Sequence, residues 1–339
     1  MDRLAVVILN FNGKDFLEKF LPVVLKCTEG FPVYVADNGS TDQSCELLKY
    51  NFPGVRLIAF PDNQGFAGGY NAALRQVEAS YYLLLNSDVE VTPGWLAPLV
   101  SFMDAHPDCA ACQPKIRSFS QKENFEYAGA AGGFIDQYGF PFCRGRVFNT
   151  LEADGGQYNE PREIFWASGA CMMVRAESFH QAGGFDADFF AHMEEIDLCW
   201  RMKKAGWKIF YTGESLVYHV GGGTLPKSNP RKTYLNFKNN HAMLIKNYNS
   251  GELLKILPVR LLMDLAASVK FFIFDSVADG WAVLKALGRV YWNFPRYRIK
   301  KNVKDSVKRN EKISGVYRGS IVLDYFLKRK RIFAQLDFQ

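Results

Sequence analysis

Four apolar runs near the start of the chain constrain its fold more than any other feature: LAVVILN (4–10), FPVYVADN (31–38), VRLIAF (55–60) and YYLLLN (81–86). Each is short and rich in β-branched or aromatic residues, and too continuous to leave one face in water, as a strand buried on both faces should be. Between them lie KDFLEKFLPVVLKC, STDQSCELLKYNF and GGYNAALRQVEAS (68–80), where apolar residues recur at helical spacing. Ser40 reads as the N-cap of the second helix, with Asp42 at the positive end of its dipole. The alternation predicts an α/β fold, a mostly parallel central sheet with helices on both faces. Such sheets bind ligands beyond the carboxyl ends of their strands. Three of these ends are polar: Asn10, Asp37 with Asn38, and Asn86-Ser87-Asp88.

The rest of the 339 residues is less regular. Residues 115–165, rich in Gly and aromatics, show no period and read as loops and short strands forming a flap. EIFWASGACMMVRAESF reads as a buried strand and a helix start, followed by a helix over about 194–205 and two short strands. Beyond Leu225 the composition turns polar and basic, which divides the chain into 1–225 and a helical C-terminal region, 226–339. Within 252–290, Leu257, Leu261, Leu265, Val269 and Phe272 have helical spacing, but Lys255, Pro258, Arg260, Asp264 and Lys270 interrupt them. That pattern predicts an amphipathic helix lying on a membrane or on the first domain, and no membrane span. From Arg296 to Arg331 thirteen Lys and Arg face three Asp and Glu, whereas the whole chain carries only +6. A basic segment on an acidic body suits an anionic partner, a membrane face or nucleic acid, and equally a solvated helix pair. The N-terminus enters a strand without the pattern of a signal peptide. Seven scattered cysteines, with Cys109 and Cys112 as a lone C-x-x-C, suit a reduced cytosolic compartment and argue against zinc.

Several residues carry two readings. Asp37 either caps the following helix or accepts hydrogen bonds from a base or ribose. The loop DNQGFAGGYN (62–71) is a tight strand-to-helix turn or a cradle for a diphosphate at a helix N-terminus. Asp88 ends a strand in a turn or offers an oxygen to a divalent cation whose other ligands come from phosphate and water. Glu194, Glu195 and Asp197 fall within one helical turn, as good helix-start chemistry or as like charges that raise one another's pKa toward that of a general base. His219, before three glycines, is a satisfied histidine or a ligand.

A resemblance bears on these alternatives. VVILNFNGKDFLEKFL, VADNGSTDQS, DNQGFAGGYNAAL, LLLNSDVEV, SGACMMVRAESFHQAGGFDADFFAHMEEIDLCWRMKKAGW and LVYHVGGGT resemble, in order and spacing, the motifs of family 2 glycosyltransferases over residues 3 to about 225. The branch they resemble includes bacterial rhamnosyltransferases of cell-surface polysaccharide synthesis. The resemblance implies a GT-A fold, Rossmann-like, and inverting, metal-assisted transfer from a nucleoside-diphosphate sugar to a glycan or lipid-linked acceptor. Matched residue by residue, Asp37 reads the base, Leu9, Asn10 and Phe11 form the pocket wall, and Asn63 and Gly65 form the loop beside it. Asp88 matches the last aspartate of the family's D-x-D, and Asn86 stands where the first is common. His219 matches a histidine that completes the coordination of Mn²⁺ or Mg²⁺ in some relatives. Glu195, or Glu194 beside it, matches the catalytic base, and Asp197 supports the helix or the acceptor.

With one aspartate at the D-x-D position, metal binding is expected to be weak until the donor arrives. The resemblance favours the cytoplasmic face of the inner membrane over nucleic acid as the partner of the basic segment. It ranks a dTDP-rhamnose donor ahead of a UDP-hexose. Two rivals remain: a nucleotidyltransferase of similar fold, disfavoured because NFNGKDFLEKF holds a single Gly, with one Lys directly after it, following the first strand, and a non-catalytic sugar-nucleotide binding protein.

Overall fold

The structure is a computed structural model that describes residues 2–28, 30–221, 229–300 and 313–338. Strands β1 (Asp2–Asn10), β2 (Val33–Asn38), β3 (Arg56–Phe60) and β4 (Ala79–Asn86) run parallel in the order β4-β1-β2-β3. Helices α1 (Lys14–Cys27), α2 (Ser44–Asn51) and α3 (Gly65–Leu74) connect them. The continuous apolar runs exist because each strand feeds two cores. Leu4, Val6 and Ile8 of β1 pack with Leu17, Leu21 and Val24 of α1, while Ala5 and Val7 pack with Ala67 and Tyr70 of α3.

Two element starts differ from the sequence reading. Helix α2 begins at Ser44, and Ser40 does not cap it: the Ser40 hydroxyl instead accepts the backbone N–H of Asn12 at 2.8 Å. Asp42 serves the helix start, accepting from the Ser44 N–H at 3.1 Å. Helix α3 begins at Gly65 and ends at Leu74, so the glycines of its loop lie inside its first turns.

Strand β5 (Val89–Val91), helix α4 (Leu96–Ala105) and strand β6 (Cys109–Ser118) follow. Four short strands, β7 (Gly133–Asp136), β8 (Pro141–Cys143), β9 (Arg146–Val147) and β10 (Thr150–Leu151), then form a second sheet where the sequence shows no period. Strands of two to four residues are too short to establish one. Next come β11 (Arg162–Ile164), β12 (Cys171–Arg175), α5 (Ala176–Gln181), α6 (Glu194–Lys204) and β13 (Lys208–His219). β12 lies antiparallel between β4 and β6, and β13 runs parallel to β6. β13 is one strand with a register shift between Thr212 and Leu216, and that irregularity is what reads as two strands in sequence. β5 pairs with the end of β13, setting Val89 opposite His219.

Helices α7 (Pro230–Asn247), α8 (Ser250–Phe274), α9 (Val277–Trp292) and α10 (Phe294–Ile299) pack together. The chain then returns to the second sheet: β14 (Val316–Tyr317) pairs with β7, followed by α11 (Ile321–Phe326). No helix among the described residues is long and apolar enough to cross a membrane. Of the thirteen basic residues in 296–331, Lys301, Lys304, Lys308, Arg309 and Lys312 lie outside the described residues. Others have partners within the fold. Arg296 and Lys300 bind Asp188 at 2.9 and 2.6 Å, Lys328 binds Asp324 at 2.9 Å, and Lys330 binds Asp337 at 2.9 Å.

Candidate active site

The end of β4 and the end of β13 meet at Asp88. The Val220 N–H donates to the Asp88 carbonyl at 3.1 Å, and His219 Nε2 lies 3.1 Å from Asp88 Oδ1. Behind the imidazole stands Glu126, a residue the motifs leave out: its Oε2 is 3.3 Å from His219 Nδ1, and its carboxylate accepts the Ala128 N–H. All three side chains are buried. Burial alone would raise both carboxyls, but the neighbouring imidazole outweighs it and holds Asp88 and Glu126 below the usual carboxylate range. Burial alone would lower His219, but the two carboxylates overcome it and push the histidine to about 10.

A ligating histidine characteristically has a carboxylate on its second nitrogen, fixing the ring. Glu126, His219 and Asp88 have that order, so the residues present fit a hard divalent cation taken by Asp88 and by His219 Nε2 once the cation displaces its proton, with further oxygens from phosphate and water. Among the described residues no group of three or more His, Cys, Asp or Glu is arranged to hold a metal.

The ends of β1 and β2 form the second part. Asp37 is 1% exposed, and both its oxygens already accept: from Asn10 Nδ2 at 2.9 Å and from the Ser40 N–H at 2.9 Å. Asn10 keeps a buried Oδ1 with no partner. Gly13 stands over that atom, where a Cβ would collide with it, so the glycine keeps the acceptor open. Leu9 packs beside Gly69, Phe11 is half-buried past the strand end, and Asn86 donates its N–H to the Ala170 carbonyl at 3.0 Å. The loop before α3 is built by Asn38, which donates to Asn63 Oδ1 at 3.1 Å and the Gly65 carbonyl at 3.0 Å, and accepts from the Gln64 N–H at 3.0 Å. Asn38 was legible only as a polar strand end. Gly65 has φ +73°, and a Cβ there would lie 2.5 Å from the Phe190 carbonyl, so only glycine admits that crossing.

That crossing brings the segment before α6 onto the strand-end surface. Phe190, His192 and Met193 all have positive φ, a concentration of strain typical of functional sites. Asn239 of α7 holds the segment, donating from one buried amide nitrogen to the carbonyls of Phe189, Ala191 and His192, each at 2.8 Å. At its end Glu194 is buried and Glu195 half-buried, and each has a buried Oε2 without a partner. Burial, reinforced by Glu195, lifts Glu194 well above the ordinary range; burial lifts Glu195 to about 7.

Asp197 has no such freedom. It is fully buried and accepts from Arg201 at 2.8 Å, Lys246 at 2.9 Å and Asn247 at 2.9 Å, which ties α6 to α7. Asp197→Ala leaves buried Arg201 without its carboxylate, while Lys246 keeps Asp186 at 2.8 Å, and is expected to cost about 3 kcal/mol of folding free energy. Urea denaturation reads this directly, and a loss under about 0.5 kcal/mol would mean that the cluster does not hold the two helices together.

A mixed sheet whose parallel strands β4, β1, β2 and β3 end in polar side chains, with the segment before α6 packed on the start of α3, has the GT-A fold. The chain belongs to the family described as Glycosyl transferase family 2, whose profile matches residues 5–183. It is a glycosyltransferase. It is 30% identical over 237 residues to the N-acetylglucosaminyl-diphospho-decaprenol L-rhamnosyltransferase of Mycobacterium tuberculosis, covering 64% of this chain and 76% of the relative. Among solved structures it is similar to S. aureus TarS 1-349 in complex with UDP-GlcNAc, with TM-score 0.56 and 17% identity over 88% of this chain and 83% of that one. It is also similar to GalNAc-T7 with UDP, GalNAc and Mn2+, with TM-score 0.57 and 14% identity over 92% of this chain and 60% of that one.

Proposed function

We propose that the protein is an inverting transferase that moves a sugar, rhamnose first among the candidates, from a nucleoside-diphosphate donor to a hydroxyl of a glycan or lipid-linked acceptor in cell-envelope polysaccharide synthesis. The observation that carries this reading is Glu195 Oε2, buried and without a hydrogen-bond partner among the described residues, at the head of a strained, anchored segment. Burial raises this carboxyl to about 7, which suits a base working near neutrality. Glu194, its carboxyl raised by burial and by Glu195, stands beside it. The rhamnosyltransferase relative, named for a lipid-linked acceptor, supports the choice of acceptor.

In the reaction, Glu195 takes the proton of the acceptor hydroxyl while that oxygen bonds to the anomeric carbon from the face opposite the diphosphate. The carbon–oxygen bond to phosphate breaks, and its electron pair leaves with the nucleoside diphosphate. One base and no protein nucleophile give inversion. Asp37 and the open acceptor of Asn10 hold the base of the nucleotide, and the Asn63–Gly65 loop lies beside it. Asp88 and His219 would hold a divalent cation, Mn²⁺ or Mg²⁺, which would supply positive charge beside the leaving diphosphate. The enzyme works on the cytoplasmic face of the inner membrane, where lipid-linked acceptors are presented.

The test is a panel of sugar nucleotides incubated with the protein, with and without Mn²⁺, read as donor hydrolysis. Turnover of dTDP-rhamnose alone supports the donor assignment, and no turnover of any donor counts against transferase activity. Because Glu126 orients His219, Glu126→Gln is expected to weaken Mn²⁺ binding in the presence of nucleoside diphosphate by about 10–100-fold. Calorimetry giving an unchanged affinity would mean that the histidine is oriented without it.

A further inference from the structure

Helix α8 is turned the opposite way from an ordinary surface helix. Its inward face carries Arg260 and Asp264, 2% and 1% exposed, with Ser268 buried one turn on. Its outward face carries Leu254, Leu262, Val269 and Ile273, 79%, 70%, 56% and 65% exposed. Their successive spacings of eight, seven and four place them on one stripe about 30 Å long.

The helix cannot roll this stripe inward, because its polar face is locked in place. Asp264 accepts from His241 at 2.6 Å and from Arg260 at 3.2 Å; Arg260 donates to the Tyr138 carbonyl at 3.0 Å, and Ser268 to the Gly280 carbonyl at 2.9 Å. Rotation would leave buried charges unpaired. An apolar stripe held toward solvent by its own helix marks a surface that something else covers.

The neighbouring helix indicates what covers it. Trp281 of α9 sits edge-on to Phe272 of α8, and the outward positions that follow at helical spacing are Lys285, Arg289 and Trp292, all exposed. Tryptophans interleaved with cations beside an apolar stripe suit the headgroup boundary of an anionic bilayer, where the ring is half wet and the cation meets lipid phosphate. We infer that the outward faces of α8 and α9 lie on an anionic lipid surface; this rests on the proposed function only in giving the surface a purpose, delivery of the enzyme to a lipid-linked acceptor. The docking element is thereby α8–α9, and the basic segment 296–331, several of whose cations are bound within the fold, is not required for it.

The experiment is flotation of the full chain with vesicles of zwitterionic lipid alone and of zwitterionic plus anionic lipid, at low and high salt, beside the double variant Leu262→Glu with Val269→Glu. Binding to anionic vesicles that partly survives high salt and falls about 100-fold or more in the variant is expected. The substituted positions are exposed, so thermal unfolding of the variant serves as the fold control. Absence of vesicle binding at low salt, or binding that the variant leaves unchanged, overturns the inference. A dimer in sedimentation that the variant converts to monomer, without vesicle binding, assigns the face to a second copy and also overturns it. Donor hydrolysis in vesicle-free solution, measured in parallel, tests the transferase reading separately, since lipid binding does not depend on its outcome.

Discussion

Glu195→Gln is expected to lower sugar transfer by between about a hundred-fold and ten-thousand-fold, the range that loss of a positioned general base costs. The amide has almost the same shape and cannot take a proton, so affinity for the donor nucleotide should hold. In the parent enzyme the rate should climb with pH through about 7, since below that value the buried carboxyl is protonated and cannot accept the acceptor's proton. The variant's residual rate should lose that inflection. Single-turnover assays across pH, with calorimetry of nucleotide binding, separate the two effects. Near-parent turnover in Glu195→Gln would move the base to another residue.

Asp88→Asn is expected to be comparably damaging by a different route. It keeps the turn but removes the anionic oxygen at the strand end, leaving His219 and a neutral amide. If the cation supplies several kcal/mol of leaving-group stabilisation, transfer falls by about three orders of magnitude. Binding of Mn²⁺ with nucleotide should weaken in the same variant. In the parent, Mn²⁺ should bind weakly until the nucleoside diphosphate is present, because the protein offers two side-chain ligands. Tight Mn²⁺ binding to the nucleotide-free protein would contradict this account of Asp88.

The parallel half of the sheet was legible because β1, β2 and β4 are buried on both sides and each helix on one, while the edge strand β3, with Arg56 and Ala59 exposed, showed through its short apolar run. Asp88, His219 and the acids of α6 were legible as motif positions. Glu126 was not: it lies in an irregular loop, and the pairing of β13 with β6, whose Ile116 carbonyl accepts the Glu126 N–H at 3.1 Å, brings His219 against it. Asn239 was equally hidden, since an asparagine within a polar helix carries no sign that it will hold three carbonyls some fifty residues away. The orientation of α8 was left open for a related reason, since its pattern predicts a helix lying either on a membrane or on the first domain. Leu257 and Leu261 are only half-buried, while Leu265 and Val269 of the same predicted face point to solvent. Periodicity finds apolar positions but does not say which side of a helix the buried network of Arg260, Asp264 and His241 will claim.

The pairing of β14 with β7 has a consequence for how the chain is made. On a ribosome, β7 is complete about 180 residues before Val316 and Tyr317 emerge, an interval of about 10 to 35 s at ordinary elongation rates. For that time the Gly133–Asp136 strand has β8 on one side, and on the other only Gly133 is met, by the backbone of Phe165 and Trp166, so the rest of that edge stays open. The nascent chain therefore carries a partial template for strand addition until Val316 and Tyr317 arrive and close the edge against neighbouring chains.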